Sequence, residues 1–295
     1  MHTHPRPRRS VLYMPGSNAR ALEKGRSLAC DGLIFDLEDA VASSAKEPAR
    51  TNIVAALQSD YGHRERIVRV NALDTPWGYR DLVDTATSGA DAVLLPKVEG
   101  PAAVHQVEHI LDTAGAPQSM TIWCMMETPL GVLNAHDIAN ASPRLAALVM
   151  GTSDLTKDLH AVHTPDRGPL QASLAHCVLV ARAYGLAILD GVHLDLDDDD
   201  GFARACRQGR DFGFDGKTLI HPKTIAAANA AFGPTPEEIA WSQKIIEAFA
   251  AVQGDHQGVV VVDGKLVESL HVAQAQRLVD LAAMIDAADG GSDKP

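Results

Sequence analysis

The sequence is poor in cysteine, and the four cysteines that it has stand far apart. Cys30, Cys124, Cys177 and Cys206 form no CxxC pair. Disulfide frameworks and structural zinc sites both rely on closely spaced cysteines, so neither is expected in this chain. We therefore predict four free thiols, mostly buried.

Long apolar runs and an excess of basic residues are also missing. No apolar stretch reaches the roughly 18 residues that a membrane-spanning helix needs, and the basic start is not followed by a secretory hydrophobic segment. With 26 Lys and Arg against 38 Asp and Glu, the formal net charge is −12, whereas nucleic-acid binding uses a basic surface. The expected protein is cytoplasmic, with no membrane or nucleic-acid partner.

Apolar residues make up 46% of the 295 residues, enough to bury a large core. Short β-rich runs alternate with helical segments, as in repeated βα units, and several are too uniformly apolar for half-exposed antiparallel strands. The rival doubly wound sheet lacks its GxGxxG fingerprint after an early strand. We predict an α/β fold, a (β/α)8 TIM barrel, with strands near residues 10–13, 32–36, 66–71, 92–96, 121–127, 145–151, 187–190 and 216–220.

The C-terminal part has the pattern of a separate lid segment. Thr235, Pro236 and Glu238 fit a capping box with Pro at the first helical position, which predicts a helix to about residue 253. A linker over 254–258, a strand over 259–262, a turn at 263–264 and a helix over 271–287 follow. We predict a barrel domain over 1–253, a lid over 254–289 and a disordered tail over 290–295.

Charged and polar residues follow five consecutive predicted strands. In a (β/α)8 barrel these strand ends meet at one mouth, which holds the active site. A salt bridge or a helix cap explains any one of them equally well, but the five strands together favour a functional site. The residues are Asp36, Glu38 and Asp39 in the second run, Arg69 and Asn71 in the third, Lys97 after the fourth, Glu127 after the fifth and Asp154 after the sixth.

Two of these carboxylates suit a hard metal ion. Glu127 and Asp154 come from neighbouring strands, and waters and substrate oxygens would complete an octahedral site for Mg²⁺, with Mn²⁺ as the alternative. Neither His nor Cys joins them, which argues against zinc. Arg69 has the planar fork that holds a carboxylate by two hydrogen bonds, so a carboxylated substrate is predicted.

Six segments occur in order along the chain: RSVLYMPG at 9–16, FDLEDAV at 35–41, RVN at 69–71, PKVE at 96–99, GTSDL at 151–155 and GKTLIHP at 216–222. These segments resemble the signature blocks of the HpcH/HpaI aldolase and citrate lyase β-subunit family. The resemblance covers nearly the whole chain in the right order. It implies a (β/α)8 barrel with a C-terminal lid, assembled as trimers or hexamers, that acts with Mg²⁺ on citryl, malyl or citramalyl thioesters.

The resemblance also implies roles for single residues. Glu127 and Asp154 would be the metal ligands, and Arg69 would bind the carboxylate of the 2-oxoacid or its precursor. Asp36, Glu38 and Asp39 would hold metal-bound waters or the thioester end, and the sequence does not separate their roles.

A CoA site is implied as well. Tyr13, Arg20 and Lys24 fall where similar lyases bind the nucleotide part of CoA, and Ile220 and His221 fall where they meet the pantetheine. Arg20 and Lys24 are one helical turn apart, so both can face a phosphate. Without the resemblance, that pair would be read as a solvated helix face.

The lid departs from the family pattern. Relatives place a catalytic aspartate shortly after a Gly-Lys turn and supply it to an adjacent subunit, whereas Glu268 stands there in this sequence. Glutamate keeps the carboxylate and extends it by one methylene, and errors of about 1 Å can cost roughly a hundredfold in rate. Glu268 is the candidate acid or base, with Asp263 as a nearby substitute that is more simply a turn residue.

The predicted function is a lyase that cleaves or forms a carbon–carbon bond in malyl-CoA or citramalyl-CoA, giving acetyl-CoA and a 2-oxoacid. Three alternatives stay open: the citrate lyase β-subunit acting on an acyl carrier protein, a malyl-CoA thioesterase, and a catalytically weak thioester-binding protein. The oxoacid, whether glyoxylate, pyruvate or oxaloacetate, is not decided, because one methyl group changes binding by only about 1–3 kcal/mol.

Overall fold

The computed structural model describes residues 6–252 and 259–290. The predicted linker over 254–258 and residues 291–295 of the predicted tail lie outside this range. Two compact units divide the chain after Phe232. Each is described by itself.

The first unit is the predicted barrel. Eight strands close in sequence order, every neighbouring pair is parallel, and β1 pairs with β8. This confirms the predicted fold and places all eight predicted strands within one or two residues. The strands are β1 (Ser10–Pro15), β2 (Gly32–Asp36), β3 (Glu65–Arg69), β4 (Ala92–Leu95), β5 (Thr121–Met126), β6 (Leu145–Met150), β7 (Ala187–Asp190) and β8 (Gly216–Leu219).

Helices connect the strands, as parallel pairing requires. Those of the first unit are α1 (Ala19–Gly25), α2 (Lys46–Ala56), α3 (Gly78–Ala86), α4 (Pro101–Thr113), α5 (Pro129–Leu133), α6 (Ala135–Ala139), α7 (Thr152–Asp158), α8 (Gln171–Tyr184), α9 (Asp199–Phe212) and α10 (Ile225–Phe232). No described helix is both long and apolar enough to cross a bilayer. All four cysteines are free and buried, as predicted.

The alternation of side chains along each strand sorts the core into two layers. Leu12 and Phe35 belong to the larger apolar layer. Val11, Ile34 and Trp123 belong to a separate cluster that fills the interior of the barrel. Two or four residues further along these strands, residues with the same inward orientation form the barrel mouth.

The second unit contains α11 (Pro236–Val252), the antiparallel pair β9 (Val259–Val262) and β10 (Lys265–Glu268), and α12 (Ser269–Gly290). The predicted capping box is present, because Thr235 and Glu238 exchange side-chain to backbone hydrogen bonds. Asp263 and Gly264 both have positive φ, 49° and 77°, as a tight hairpin turn requires.

The boundary between the units differs from the predicted one at residue 253. Ile245 and Phe249 of α11 pack with Val262, Val267 and Ala275 in a small apolar core. Because α11 buries its apolar side against the C-terminal elements, the contacts group it with them. The sequence marked the helix correctly but carried no signal for which neighbour it would pack on.

Candidate active site

A cavity of about 320 Å³ opens at the C-terminal ends of the barrel strands. Four of its lining residues are acidic and one, Arg69, is basic, so the cavity favours a cation together with an anionic substrate group. The lining residues are Tyr13, Asp36, Asp39, Ala40, Arg69, Met125, Glu127, Met150, Gly151, Thr152, Ser153, Asp154, Val192, Thr218 and Ile220.

Arg69 is held by Asp36 on the neighbouring strand. Nε and Nη2 of Arg69 donate to the two carboxylate oxygens of Asp36 at 2.7 and 2.6 Å. The backbone N–H groups of Glu38 and Ala40 also donate to Asp36. The fork that was predicted to hold a substrate carboxylate therefore holds an internal one, and the remaining nitrogen, Nη1, is the one directed elsewhere.

Nη1 of Arg69 contacts the other two carboxylates of the same segment. It lies 2.9 Å from Glu38 Oε2 and 3.6 Å from Asp39 Oδ2. The guanidinium also lies over the ring of Tyr13, with 4.7 Å between its carbon and the ring centroid. Such a cation–π contact adds to the rigidity of the arginine.

The structure separates the three acidic residues that the sequence left together. Asp36 is fully buried and Glu38 nearly so, and burial raises the pKa of Glu38 although Arg69 and Lys97 oppose the effect. The side chain of Asp39 is 60% exposed and lines the cavity. Asp36 and Glu38 thus support Arg69 from buried positions, while Asp39, in a longer contact with Arg69, is exposed at the cavity.

Glu127 lies at the buried end of β5. Its side chain accepts a hydrogen bond from the Lys97 N–H at 2.7 Å. Burial raises the pKa of Glu127 to about 7, an effect that the hydrogen bond from Lys97 opposes. Gly151 comes so close that a Cβ there would lie 2.3 Å from the Glu127 Cβ. Only glycine leaves this carboxylate in place.

Asp154 stands in the first turn of α7, and its side chain is partly exposed at the same cavity. Lys157, one turn later, lies 3.4 Å from its carboxylate. No three His, Cys, Asp or Glu side chains converge on one point in the described part of the chain. Two carboxylates that leave the other positions to water and substrate fit Mg²⁺ better than zinc.

The residues predicted to bind CoA are not all brought together. Tyr13 faces the inside of the barrel and lines the cavity beside Arg69, and burial raises the pKa of its hydroxyl. Arg20 and Lys24 are exposed on α1 and do not line the cavity. Tyr13 therefore belongs with the acidic site, because its strand position points it inward.

The other two predicted CoA residues lie at the end of β8. Ile220 lines the cavity and is partly exposed. His221 is exposed, and its Nδ1 accepts the backbone N–H of Lys223, so it caps the short 3₁₀ turn Pro222–Thr224. Ile220 thus borders the cavity directly, whereas the ring of His221 has a local backbone partner.

Glu268 belongs to the second unit, where it ends β10 and precedes α12. Its backbone N–H donates to Nδ1 of His271 at 2.9 Å. Strand pairing places Glu268 on the same face of the hairpin as Val259, Val261 and Leu266, which are all exposed. The carboxylate therefore stands at the edge of an exposed apolar surface.

Several lining residues were not singled out from the sequence. Met125 lies two positions before Glu127, and Thr218 lies two positions before Ile220, so strand alternation could have found both. Val192 follows β7 in a loop, where no periodicity applies. Lys97 was noted as a strand-end residue without a role.

The sequence model of the HpcH/HpaI aldolase/citrate lyase family matches residues 9–222. The chain belongs to this family. Within it, the chain is 51% identical to a (3S)-malyl-CoA thioesterase of Cereibacter sphaeroides strain KD131 over 282 residues, 95% of this chain and 96% of that protein. It is 36% identical to the citrate lyase subunit beta of Leuconostoc mesenteroides subsp. cremoris over 283 residues, 94% of each.

A solved structure in the family supports the same relationship. The CitE protein of Mycobacterium tuberculosis, in complex with magnesium, acetoacetate and coenzyme A, superposes with a TM-score of 0.74 at 28% identity. The match covers 93% of this chain and 97% of that one. The resemblance identified from the sequence blocks is thus confirmed.

Proposed function

We propose that this protein is a Mg²⁺-dependent enzyme that hydrolyses the thioester of a malyl-CoA type substrate to the free hydroxy acid and CoA. The observation that carries the proposal is the 51% identity with a (3S)-malyl-CoA thioesterase across 95% of the chain. The acidic cavity at the barrel mouth, with one arginine, suits a cation and a carboxylated substrate.

Glu127 and Asp154 would hold the metal, with Mn²⁺ as the alternative to Mg²⁺. The buried Glu127 is the carboxylate that gains most from a cation, because burial disfavours its charged form. When bound, the ion would supply Lewis acidity and a template for the substrate oxygens. The CitE structure in complex with magnesium and coenzyme A supports Mg²⁺ and a CoA ester as the ligands of this chain.

Arg69 would bind the substrate carboxylate through Nη1, since Asp36 holds the other side of the guanidinium. The contacts of Nη1 with Glu38 and Asp39 would then loosen in favour of the substrate. In this arrangement Asp36 and Glu38 hold Arg69 in place, and Asp39, which lines the cavity, would hold water molecules or the thioester end. The role predicted for Glu38 at the thioester end is not supported, because its side chain is buried and does not line the cavity.

Hydrolysis needs a base that accepts a proton from water. Asp39 at the mouth is one candidate, because it is exposed and lines the cavity, and Glu268 is the other. Water attacks the thioester carbonyl carbon, its proton passes to the carboxylate, and the carbon–sulfur bond breaks. The CoA thiolate then takes up a proton, so that free acid and CoA leave.

CoA would extend from the cavity towards the protein surface. Ile220 and His221 would meet the pantetheine, and Arg20 and Lys24 would meet the phosphates of the nucleotide. Tyr13 would contact the acyl end instead, because it lines the cavity beside Arg69.

We further propose that the second unit is a lid for an adjacent subunit of a homotrimer or hexamer. The exposed apolar face with Val259, Val261 and Leu266 gives the hairpin a surface that is stabilised by being covered. Glu268, on that face, would then enter the partner's cavity as acid or base.

A second candidate is carbon–carbon cleavage to acetyl-CoA and a 2-oxoacid, supported by the 36% identity with a citrate lyase subunit beta. There Glu268 would take the hydroxyl proton, the carbon–carbon bond would break as the alkoxide becomes the carbonyl of the 2-oxoacid, and acetyl-CoA would depart as its enolate. Glu268 would return the proton to the enolate carbon.

The test incubates the purified protein and Mg²⁺ separately with malyl-CoA, citramalyl-CoA and citryl-CoA, and follows the products by mass spectrometry with EDTA as control. Free CoA with intact hydroxy acid, abolished by EDTA, supports hydrolysis. Acetyl-CoA with one oxoacid supports the lyase and names its substrate. CoA binding without turnover would contradict both reactions and favour a carrier-protein substrate or a binding protein.

A further inference from the structure

Lys97 has an unusual backbone conformation at the barrel mouth. Its φ is 50°, in the left-handed region that residues with a side chain rarely adopt. It follows β4 and Pro96 directly, on a barrel strand end where functional residues gather. A strained backbone at such a place persists only when the surroundings hold it.

Two hydrogen bonds hold Lys97 there. Its backbone N–H donates to Glu127 Oε1 at 2.7 Å, and its Nζ donates to Glu38 Oε1 at 2.7 Å. The angle φ sets the direction of the side chain relative to the N–H of the same residue. With this left-handed φ, the backbone N–H of Lys97 points at Glu127 and its side chain points at Glu38.

These contacts join both halves of the candidate site. Glu38 Oε2 contacts Arg69 Nη1 at 2.9 Å, and Arg69 holds Asp36. A continuous chain of contacts thus runs from Glu127 through Lys97 and Glu38 to Arg69. Lys97 itself does not line the cavity, so it acts on a bound molecule only through these neighbours.

We propose that Lys97 is a positioning residue that fixes the Glu127 carboxylate for the cation and the Glu38 carboxylate for Arg69. The inference rests on the proposed function, because it takes Glu127 as a metal ligand. Through these two contacts, Lys97 would couple the affinity for Mg²⁺ to the orientation of Arg69.

The direction in which the Mg²⁺ affinity changes on loss of the Lys97 ammonium distinguishes a positioning role from a purely electrostatic one. Lys97→Met removes the ammonium but keeps the bulk of the side chain. If Lys97 acted only as a nearby positive charge, its loss would tighten Mg²⁺ binding, because like charges repel. If the Nζ contact with Glu38 anchors Lys97 so that its N–H stays directed at Glu127, loss of the ammonium weakens Mg²⁺ binding by about tenfold, although a positive charge has gone.

The experiment is calorimetric titration of MgCl₂ into the full-length protein and its variants, with no substrate. Lys97→Arg keeps the charge and should restore at least part of the affinity. Lys97→Gly retains a backbone N–H and tolerates the positive φ, so it removes only the Nζ contact with Glu38 that anchors this N–H against Glu127, without adding backbone strain. It should weaken binding to the same extent as Lys97→Met.

Each outcome decides the proposal. Weaker binding in Lys97→Met and Lys97→Gly, with melting temperatures near that of the wild type, supports it. Equal or tighter binding overturns it and leaves the metal site standing. No Mg²⁺ binding by the wild type would overturn the metal site and this inference together.

Discussion

Arg69 and Asp36 are paired residues of neighbouring strands and are joined by two hydrogen bonds, at 2.7 and 2.6 Å. Both are buried. A buried charge that keeps its partner is tolerated, whereas one that loses it is costly. The pair is therefore a structural element as much as a part of the site.

Arg69→Met should lower the free energy of unfolding by about 3–5 kcal/mol, because the buried carboxylate of Asp36 loses the only cation that pairs with it among the described residues. The double variant Arg69→Met with Asp36→Asn should recover part of the loss. Urea denaturation measures both. Arg80→Met is the control, since Arg80 forms an exposed pair with Asp84 worth less than about 1 kcal/mol. Equal losses at the two sites would contradict the prediction.

Glu127 should make the metal-free protein less stable as pH rises. Its pKa of about 7 in the folded state lies above the ordinary 4.5, so the protonated form favours folding. The contribution of protonated Glu127 to the free energy of unfolding is fully present below pH 4.5. It disappears as the pH rises through 7, a loss of up to about 3 kcal/mol.

The test compares unfolding free energies of wild type and Glu127→Gln between pH 4.5 and 8 in EDTA. The difference between them should change with pH, and Mg²⁺ should stabilise the wild type most at high pH. Parallel profiles for the two proteins would refute the assignment.

Gly151→Ala should disturb Glu127 directly, because the new Cβ would lie 2.3 Å from the Glu127 Cβ. We expect turnover to fall by about a hundredfold or more, with a stability loss of about 1–3 kcal/mol. Gly100→Ala is the matched control, since nothing lies within 4 Å of a Cβ there. Steady-state kinetics and thermal unfolding of both variants provide the comparison.

Asp154→Ala should abolish metal-dependent turnover while the fold survives, because the side chain is partly exposed on α7. Asp158→Ala, one turn along the same helix and also bound to Lys157, is the control. Mg²⁺ titration and circular dichroism measure the two effects. Turnover unchanged by the first substitution would rule out Asp154 as a ligand.

Glu268→Asp should change the ratio of products. The shorter carboxylate matches the aspartate that the resemblance places in related lids, so acetyl-CoA should increase relative to free CoA. Glu268→Gln should suppress whichever reaction uses the carboxylate as acid or base. Mass spectrometry of both products gives the ratio, and an identical ratio in wild type and Glu268→Asp would exclude a role for the side-chain length.

The barrel was predictable because its strands are short apolar runs that recur between helical segments. Side chains alternate along a strand, and this alternation places Asp36, Arg69 and Glu127 at the mouth. The sequence could not show which partner each charged side chain would pair with. Asp36 occupies the fork of Arg69, and Nη1 contacts Glu38 and Asp39 instead. That depends on three-dimensional distances between strands, which no local pattern encodes.

Lys97 and α11 illustrate two other limits. The left-handed φ of Lys97 is unexpected for a lysine, since propensity favours glycine or asparagine there. The helix α11 has clear start signals, yet its grouping with the C-terminal unit depends on packing with residues beyond the linker. In both cases a tertiary contact overrides or completes the local signal.

The apolar cluster inside the barrel, with Ile34, Ile67, Leu94 and Trp123, lies directly beneath the charged mouth. This floor is apolar and buried, so water would reach a molecule bound at the mouth from the open side of the cavity. Hydrolysis consumes a water molecule and carbon–carbon cleavage does not. If the thioester binds at this mouth as proposed, the access of water through the open side would set the balance between hydrolysis and carbon–carbon cleavage.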